Sequence, residues 1–303
     1  MEDPYANYWH YATMVVGINF NFERRIGQFP AGFDEGGQLY ANTAYGDYPH
    51  YLPSPENRGR EDWFTGWMLL SYQTSVDASS NRHGYPAENI VDENIKSFWL
   101  AETPSEDEWL TVDLGEESEI RAIQINYADY ESHIYGKPDA LYHRYVIESS
   151  DDGETWEMLI DKRDNTTDVP NDYVELAQPR RARYVRFTNV HVPTPNLAIS
   201  DLRIFGTGSG NPPSEVSNLR VDRNEDPREA RLTWGAVEGA QGYHLYYGID
   251  PDKLYNSVMI YQDTTFQLNA LNVKPDYYFS IEAFNENGIS ERSPVVEAAS
   301  TRK

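Results

Sequence analysis

Apolar and polar residues alternate with a period of two along most of this chain, in short runs separated by Gly, Pro, Asn and Asp. Trp109-Leu-Thr-Val-Asp-Leu-Gly115 is one such run and ends in a glycine turn. Ile120-Arg-Ala-Ile-Gln-Ile-Asn-Tyr127 is another, with Ile123 and Ile125 on its apolar face. From Tyr145 a strand runs to an Asp-Gly pair and a return strand begins at Trp156, which is the strongest local hairpin signal in the sequence. Ala182 to Phe187 and Ile199 to Gly206 add two more strands. Short strands, regular turn signals and almost no helical period predict an all-β chain built of β-sandwiches. Trp99, Trp109 and Trp156 each fall in or beside a strand, which predicts core positions for all three.

The same reading divides the chain. Residues 1–70 hold three strand candidates, Tyr11 to Phe20, Glu23 to Phe29 and Gln38 to Asn42, between Gly- and Pro-rich turns. That makes about one sheet, with nothing to cover both faces. Residues 71–206 form the central module. Residues 207–213, Thr-Gly-Ser-Gly-Asn-Pro-Pro, read as a linker of flexible glycines followed by stiff prolines. Residues 214–303 carry strands at regular spacing: Val216 to Val221, Ala230 to Trp234, Gly242 to Gly248, Phe266 to Leu271 and Tyr277 to Asn285.

Within the central module, Pro86 to Trp99 runs from the apolar pair Ile90 and Val91 into a polar turn with Asp92, Asn94 and Ser97, then into a large aromatic. Oxygen donors this close on a tight turn suit either a hard cation or an Asx-type hydrogen-bonded turn without an ion, and spacing leaves both open.

Charge and composition narrow the function classes. Forty-nine acidic residues against 25 basic give a net charge of -24, which argues against a nucleic-acid phosphate backbone as partner. There is no Cys, so disulfides, thiol nucleophiles and thiolate metal sites are excluded. No apolar run approaches the roughly 20 residues of a membrane span. The start Met1-Glu2-Asp3-Pro4 carries no signal-peptide pattern, so the export signal of a secreted parent would lie outside this sequence. Twenty-three Tyr and seven Trp favour strands and aromatic-lined surfaces.

Four separated motifs in the central module resemble the discoidin family, the coagulation-factor F5/8 C-type domains that include many bacterial carbohydrate-binding modules of family 32. They are the run from Pro86 to Trp99, the strand from Trp109 to Gly115, the hairpin Ser149-Ser-Asp-Asp-Gly-Glu-Thr-Trp156, and the last strand, Ser200 to Gly206. The resemblance implies a discoidin-like jelly-roll β-sandwich and a structural calcium held at Asn89, Asp92, Asn94, Ser97 and Asp201, some of these through main-chain carbonyls. The sequence departs from the family pattern at Glu93, where Gly is common, and at Ser97 and Asp201, where Thr and Glu are common. It also implies that loops at one end of the sandwich bind glycan, by stacking aromatic rings on the sugar and bonding its hydroxyls with planar polar groups. The candidates are Arg82, Tyr85, Tyr130, His133, Tyr135, Tyr142, Arg144 and His191, most of them in the long insertion from Asn126 to Arg144. The competing reading packs these rings against a neighbouring segment as a structural brace.

Two further resemblances flank this module. Glu23 to Asp34 and Tyr45 to Pro53 resemble the end of a family 43 glycoside hydrolase propeller, which would make residues 1–70 the remnant of a β-propeller blade. The upstream catalytic propeller of the parent protein is then a partner. No catalytic acid and base can be assigned, so no residue is named as catalytic. Asp3, Asp34 and Asp47 read as turn or inter-blade residues, and His10 as a core or pore-facing histidine. Residues 214–303 resemble a fibronectin type III β-sandwich, with Trp234 buried, Tyr277 at its tyrosine corner, and Val273 where the family often has Pro. The expected whole is an extracellular or periplasmic accessory region of an arabinosidase- or xylosidase-class hydrolase, with a polysaccharide or glycan as partner.

Overall fold

A computed structural model describes residues 1–15, 24–57, 63–132, 140–223 and 226–300. The chain divides into two compact units, one of residues 1–12, 27–66 and 210–303 and one of residues 13–26 and 67–209. Among the described residues no helix is long and apolar enough to cross a membrane. The N-terminal stretch forms a three-stranded sheet of β1 (Tyr8–Val15), β2 (Arg24–Phe33) and β3 (Leu39–Ala41), in that order. The first strand therefore begins at Tyr8, three residues before the alternation announces it; residues 16–20 of that expected strand, and Glu23 of the next, lie outside the described ones.

The second unit is a sandwich of eight strands: β4 (Met68–Leu69), β5 (Ser75–Ala78), β6 (Trp99–Leu100), β7 (Trp109–Tyr127), β8 (Arg144–Ser150), β9 (Glu157–Asp161), β10 (Asn171–His191) and β11 (Ala198–Thr207). The strand order is β4-β11-β7-β10-β8-β9, with β5 on β7 and β6 on β11. Its spine is the antiparallel pair of β7 and β10, in register from Asn126–Asn171 to Trp109–Thr188. Gly115 at φ +82° and register shifts on either side of Ala182 break that pair in the middle. The pair folds over itself there, because the Tyr127 ring comes within 3.9 Å of the His143 ring and Tyr145 Oη donates to Asp172 Oδ2 at 2.8 Å. Leu110, Val112, Ile123, Ile125, Val185, Phe187, Leu202 and Ile204 fill the space so enclosed. Trp99 joins them and is fully buried.

Trp109 and Trp156 do not join the core. On β7 the inward positions are Leu110 and Val112, so strand parity turns Trp109 outward beside Thr111. There the Arg186 guanidinium sits between the two indoles, 4.9 Å from the Trp109 centroid and 3.9 Å from that of Trp156.

The first unit holds the remaining strands: β12 (Arg220–Asp222), β13 (Ala230–Thr233), β14 (Gly242–Gly248), β15 (Asn256–Tyr261), β16 (Thr265–Leu268), β17 (Tyr277–Asn285), β18 (Gly288–Ile289) and β19 (Val296–Ala298). A sheet β12-β13-β16 belongs with a sheet β15-β14-β17-β18 that also carries β19 on β17, around a core of Trp234, Tyr243, Leu245, Phe279 and Ile281. The Tyr277 hydroxyl accepts a hydrogen bond from the Asn272 N–H at 3.1 Å, closing the corner that its position predicts. The other face of the larger sheet presents His244, Tyr246 and Glu282, and it is buried too. Residues 27–66 cover it: Tyr45 stacks on Phe64 at 4.8 Å, meets His244 edge-on at 4.6 Å and donates from Oη to Glu282 Oε1 at 3.1 Å. Tyr48 and Tyr261 share a hydroxyl contact of 3.1 Å, and Asp34 pairs with Lys253 at 2.7 Å. The N-terminal stretch, too small to bury itself, thus packs on the C-terminal sandwich. Asp3 and Asp34 serve as turn acceptors, taking the N–H groups of Tyr5 and Asn7 and of Gln38 respectively.

Candidate functional site

Strand registers gather the loops of the second unit at one end. Ala78 lies opposite Leu110, His191 opposite Arg144 and Ile199 opposite Tyr127. The segments that leave these strands are residues 79–98, 101–108, 128–143 and 192–197. The first two of these are tied to each other and to β10 by polar contacts. The Glu108 carboxylate takes hydrogen bonds from Ser79, from Ser80 at 2.7 Å and from Thr103 at 2.9 Å, and Trp99 Nε1 donates to Ser80 O at 2.9 Å. Asn189 Nδ2 donates to Ser105 O at 2.9 Å. No spacing in the sequence announces this network, because its members are up to 85 residues apart.

Two aromatic clusters stand on that frame. In the first, Tyr85 stacks on Phe98 at 4.7 Å, and Tyr130 lies 5.3 Å from both rings. A hydrogen bond with Tyr85 is the main reason the Tyr130 phenol is pushed up to about 12. Arg82 opens the same turn, with its N–H on Leu100 O at 2.8 Å and its carbonyl accepting from the Tyr85 N–H at 3.0 Å. In the second cluster, Tyr142 lies 5.1 Å from the His191 ring, and the Arg144 guanidinium sits 4.5 Å over Tyr142. Arg144 Nε donates to Asn165 O at 3.0 Å. Tyr85, Tyr130, Tyr142, Arg144 and His191 are all half-buried, which leaves part of each available. His133 and Tyr135 lie outside the described residues.

His143, from the same loop, lies near His191. It is 7% exposed, its Nδ1 has no hydrogen-bond partner, and it stacks on Tyr127. Burial, helped by the nearby His191, lowers its pKa to about 4.

The turn after Ile90 and Val91 is an Asx turn. Asp92 Oδ1 accepts from the Asn94 N–H at 2.8 Å, and the Ser97 hydroxyl lies 2.5 Å from Asp92 Oδ2 and 2.8 Å from Asn94 O. Asn89 Nδ2 donates to Phe98 O at 2.9 Å. Asp201, 2% exposed, accepts from Asn126 Nδ2 at 3.0 Å and Ser200 Oγ at 2.8 Å. Burial raises its pKa, and the charge of Asp92 adds to the effect. Glu93 stands at φ +58°, which explains why glycine suits that position. Its carboxylate is gripped by Arg203, with Nε to Oε1 at 3.0 Å and Nη2 to Oε2 at 2.9 Å, and both side chains are nearly buried. Asp201 therefore lies near both Asp92 and Arg203, whose guanidinium is already taken by Glu93. Among the described residues no three His, Asp or Glu side chains form a ready metal cage. The donors on offer are oxygens only, from carboxylate, amide, hydroxyl and carbonyl, and such a set fits a hard divalent cation.

A family comparison accords with this architecture. Residues 75–200 match the F5/8 type C domain. Among solved structures, 46% of the chain is similar to chitosan-binding module 1 of a chitosanase/glucanase from Paenibacillus sp. IK-5, at 21% identity, 99% coverage of that chain and a TM-score of 0.39. It is also similar over 46% of its length to the module CpGH89CBM32-6 of Clostridium perfringens, at 25% identity, 99% coverage and a TM-score of 0.37. A third similarity is to the family 32 module of C. perfringens NanJ in complex with galactose, at 16% identity, 46% and 98% coverage and a TM-score of 0.38. No curated protein matches the chain.

Two expectations for the second unit follow. Arg203→Leu strands a buried carboxylate and costs about 3–5 kcal/mol in chemical denaturation, whereas the double variant with Glu93→Gly recovers most of that loss. For His143, the unfolded chain binds a proton below pH about 6.5, and the folded chain does so only below about 4. Stability of this unit therefore falls as pH drops through that window and is flat above it, and His143→Phe reduces the slope measured by thermal melting.

Proposed function

We propose that the F5/8 type C segment is a non-catalytic glycan-binding module that works through its loop end. The observation that carries this reading is the cluster of Tyr142, His191 and Arg144: a ring, an imidazole and a guanidinium packed together and half open at the facing ends of β8 and β10. Among the described residues the Arg144 guanidinium meets no carboxylate, although the chain is strongly acidic. Such a group is available to bond sugar hydroxyls while the ring takes the apolar face of the pyranose. Tyr85, Tyr130 and Arg82 supply a second contact area at the same end.

In this reading Asp92, Asn94 and Ser97, with Asn89 and Asp201 beside them, hold a structural calcium ion whose role is to fix the turn that leads into Trp99. The parent protein is a polysaccharide-degrading glycoside hydrolase of family 43, of the arabinosidase or xylosidase class, acting outside the cytoplasm. Its catalytic propeller lies upstream and residues 1–70 are its last blade segment. The C-terminal sandwich is a fibronectin type III spacer, a reading supported by its strand arrangement and by the Tyr277 corner. The acidic balance disfavours nucleic acid as a partner.

Affinity electrophoresis against a panel of plant and host polysaccharides tests the central claim. Tyr142→Ala and Arg144→Ala are each expected to weaken retardation at least tenfold with an unchanged melting temperature. Lowered melting with no binding by the parent chain would instead make these side chains a brace. For the ion, added calcium is expected to raise the melting temperature, the stabilisation by mass action being about 2.7 kcal/mol at a hundredfold excess over Kd, and Asp92→Asn abolishes the rise.

A further inference from the structure

The first unit contains a groove that neither the loop end nor the ion site uses. Three hollows of about 640, 440 and 760 Å³ adjoin one another along β3, and Tyr40 and Ala41 line all of them. The first two share Tyr8 and Phe33, and the last two share Tyr255 and Ser257. Tyr40 and Tyr255 stack at 4.7 Å and form the wall at its middle, and the Tyr40 ring lies so close over Gly32 that a Cβ there would meet its hydroxyl at 3.0 Å. At one end Tyr8 and Phe33 meet edge-to-face at 5.3 Å, yet remain 37% and 54% exposed.

Of the charged groups along the groove, Lys253 and Arg292 are matched, whereas Glu2 and the Met1 ammonium line the first hollow and Asp250 lines the third. Lys253 pairs with Asp34 at 2.7 Å, and Arg292 Nε donates to Glu282 at 3.2 Å. What remains for a ligand is aromatic surface together with uncharged polar groups such as Asn42 and Asn256. Aromatic faces plus amides, with a carboxylate in the hollow at either end to repel a polyanion, complement a carbohydrate that carries no charge of its own. A run of connected hollows, rather than a single cup, suits a chain of sugars rather than one.

We infer that this groove is a second glycan-binding site, separate from the loop end, and that it takes an extended neutral polysaccharide. The two sites are distinguished by removing each in turn. With the Tyr142→Ala/Arg144→Ala double variant as background, affinity electrophoresis in gels containing soluble xylan, arabinan or polygalacturonate is expected to show residual retardation by a neutral polymer. Polygalacturonate gives none through the groove. Adding Tyr8→Ala and Phe33→Ala, both surface substitutions, weakens that residual retardation at least tenfold while the melting temperature stays unchanged. Loss of all retardation in the background variant overturns the groove and leaves the loop-end reading intact. Retardation unaffected by the Tyr8 and Phe33 exchanges also overturns it. If the background variant binds as the parent does, and the Tyr8 and Phe33 exchanges remove the binding, the loop-end reading falls while the groove stands. Concentration-dependent dimerisation that those exchanges abolish, with no polymer retained, assigns the groove to a second copy and overturns the proposal.

Discussion

The long antiparallel pair of β7 and β10 is the constraint on which the second unit depends. Strands of 19 and 21 residues are too long to lie flat across a small sandwich, so the pair has to bend, and Gly115 and the register shifts near Ala182 mark where it does. Once bent, one strand pair contributes to both faces of the core. Its two ends return to the same region, and the connections leaving them are gathered there. The candidate site is thus a by-product of closing the hydrophobic core: burying Ile123, Ile125, Val185 and Phe187 brings Tyr142, Arg144 and His191 together. Contacts this far apart in sequence form late and slowly during folding.

In the first unit the corresponding anchor is polar. Glu282 is 5% exposed, and its oxygens accept from Tyr45, from Tyr246 at 2.8 Å and from Arg292 at 3.2 Å. A carboxylate buried without such donors would be strongly disfavoured, so the face it occupies tolerates a cover only when that cover brings a hydroxyl to the right place. The 27–66 segment does so with Tyr45. An apolar face would accept many covers, whereas this one specifies its partner.

The strands and turns were legible from local signals. The Asp-Gly hairpin holds because Asp152 Oδ1 accepts the N–H groups of Glu154 and Thr155 and Gly153 adopts φ +77°. The Tyr277 corner was likewise visible, being local. Face assignment is not local: a tryptophan in a strand reads as core, while the parity of Leu110 and Val112 puts Trp109 outside. β15, from Asn256 to Tyr261, went unread because the turn residues before it give no clear boundary. The glycine-like place of Glu93 is visible only through the family pattern it departs from, and the Arg203 that holds it lies 110 residues away, with no local pattern to link the two. The docking of residues 27–66 on the C-terminal sandwich is of the same kind, a match between surfaces rather than a motif. For the aromatic and cationic loop residues, composition pointed to the right segments, and only the ladders decide which of them meet.

Because the first unit is assembled from residues on both sides of the second, the order of synthesis matters. Met68 on β4 sits opposite Gly206 on β11, so the intervening module closes on itself as soon as its last strand has emerged. Residues 27–66 have no such option: Tyr45 must wait for His244 and Glu282, roughly 200 residues later, which is about 10–40 s of translation at about 5–20 residues per second. During that interval a stretch rich in tyrosine and phenylalanine is held without its cover, and a nascent chain in that state is exposed to chaperones and to its neighbours on the polysome.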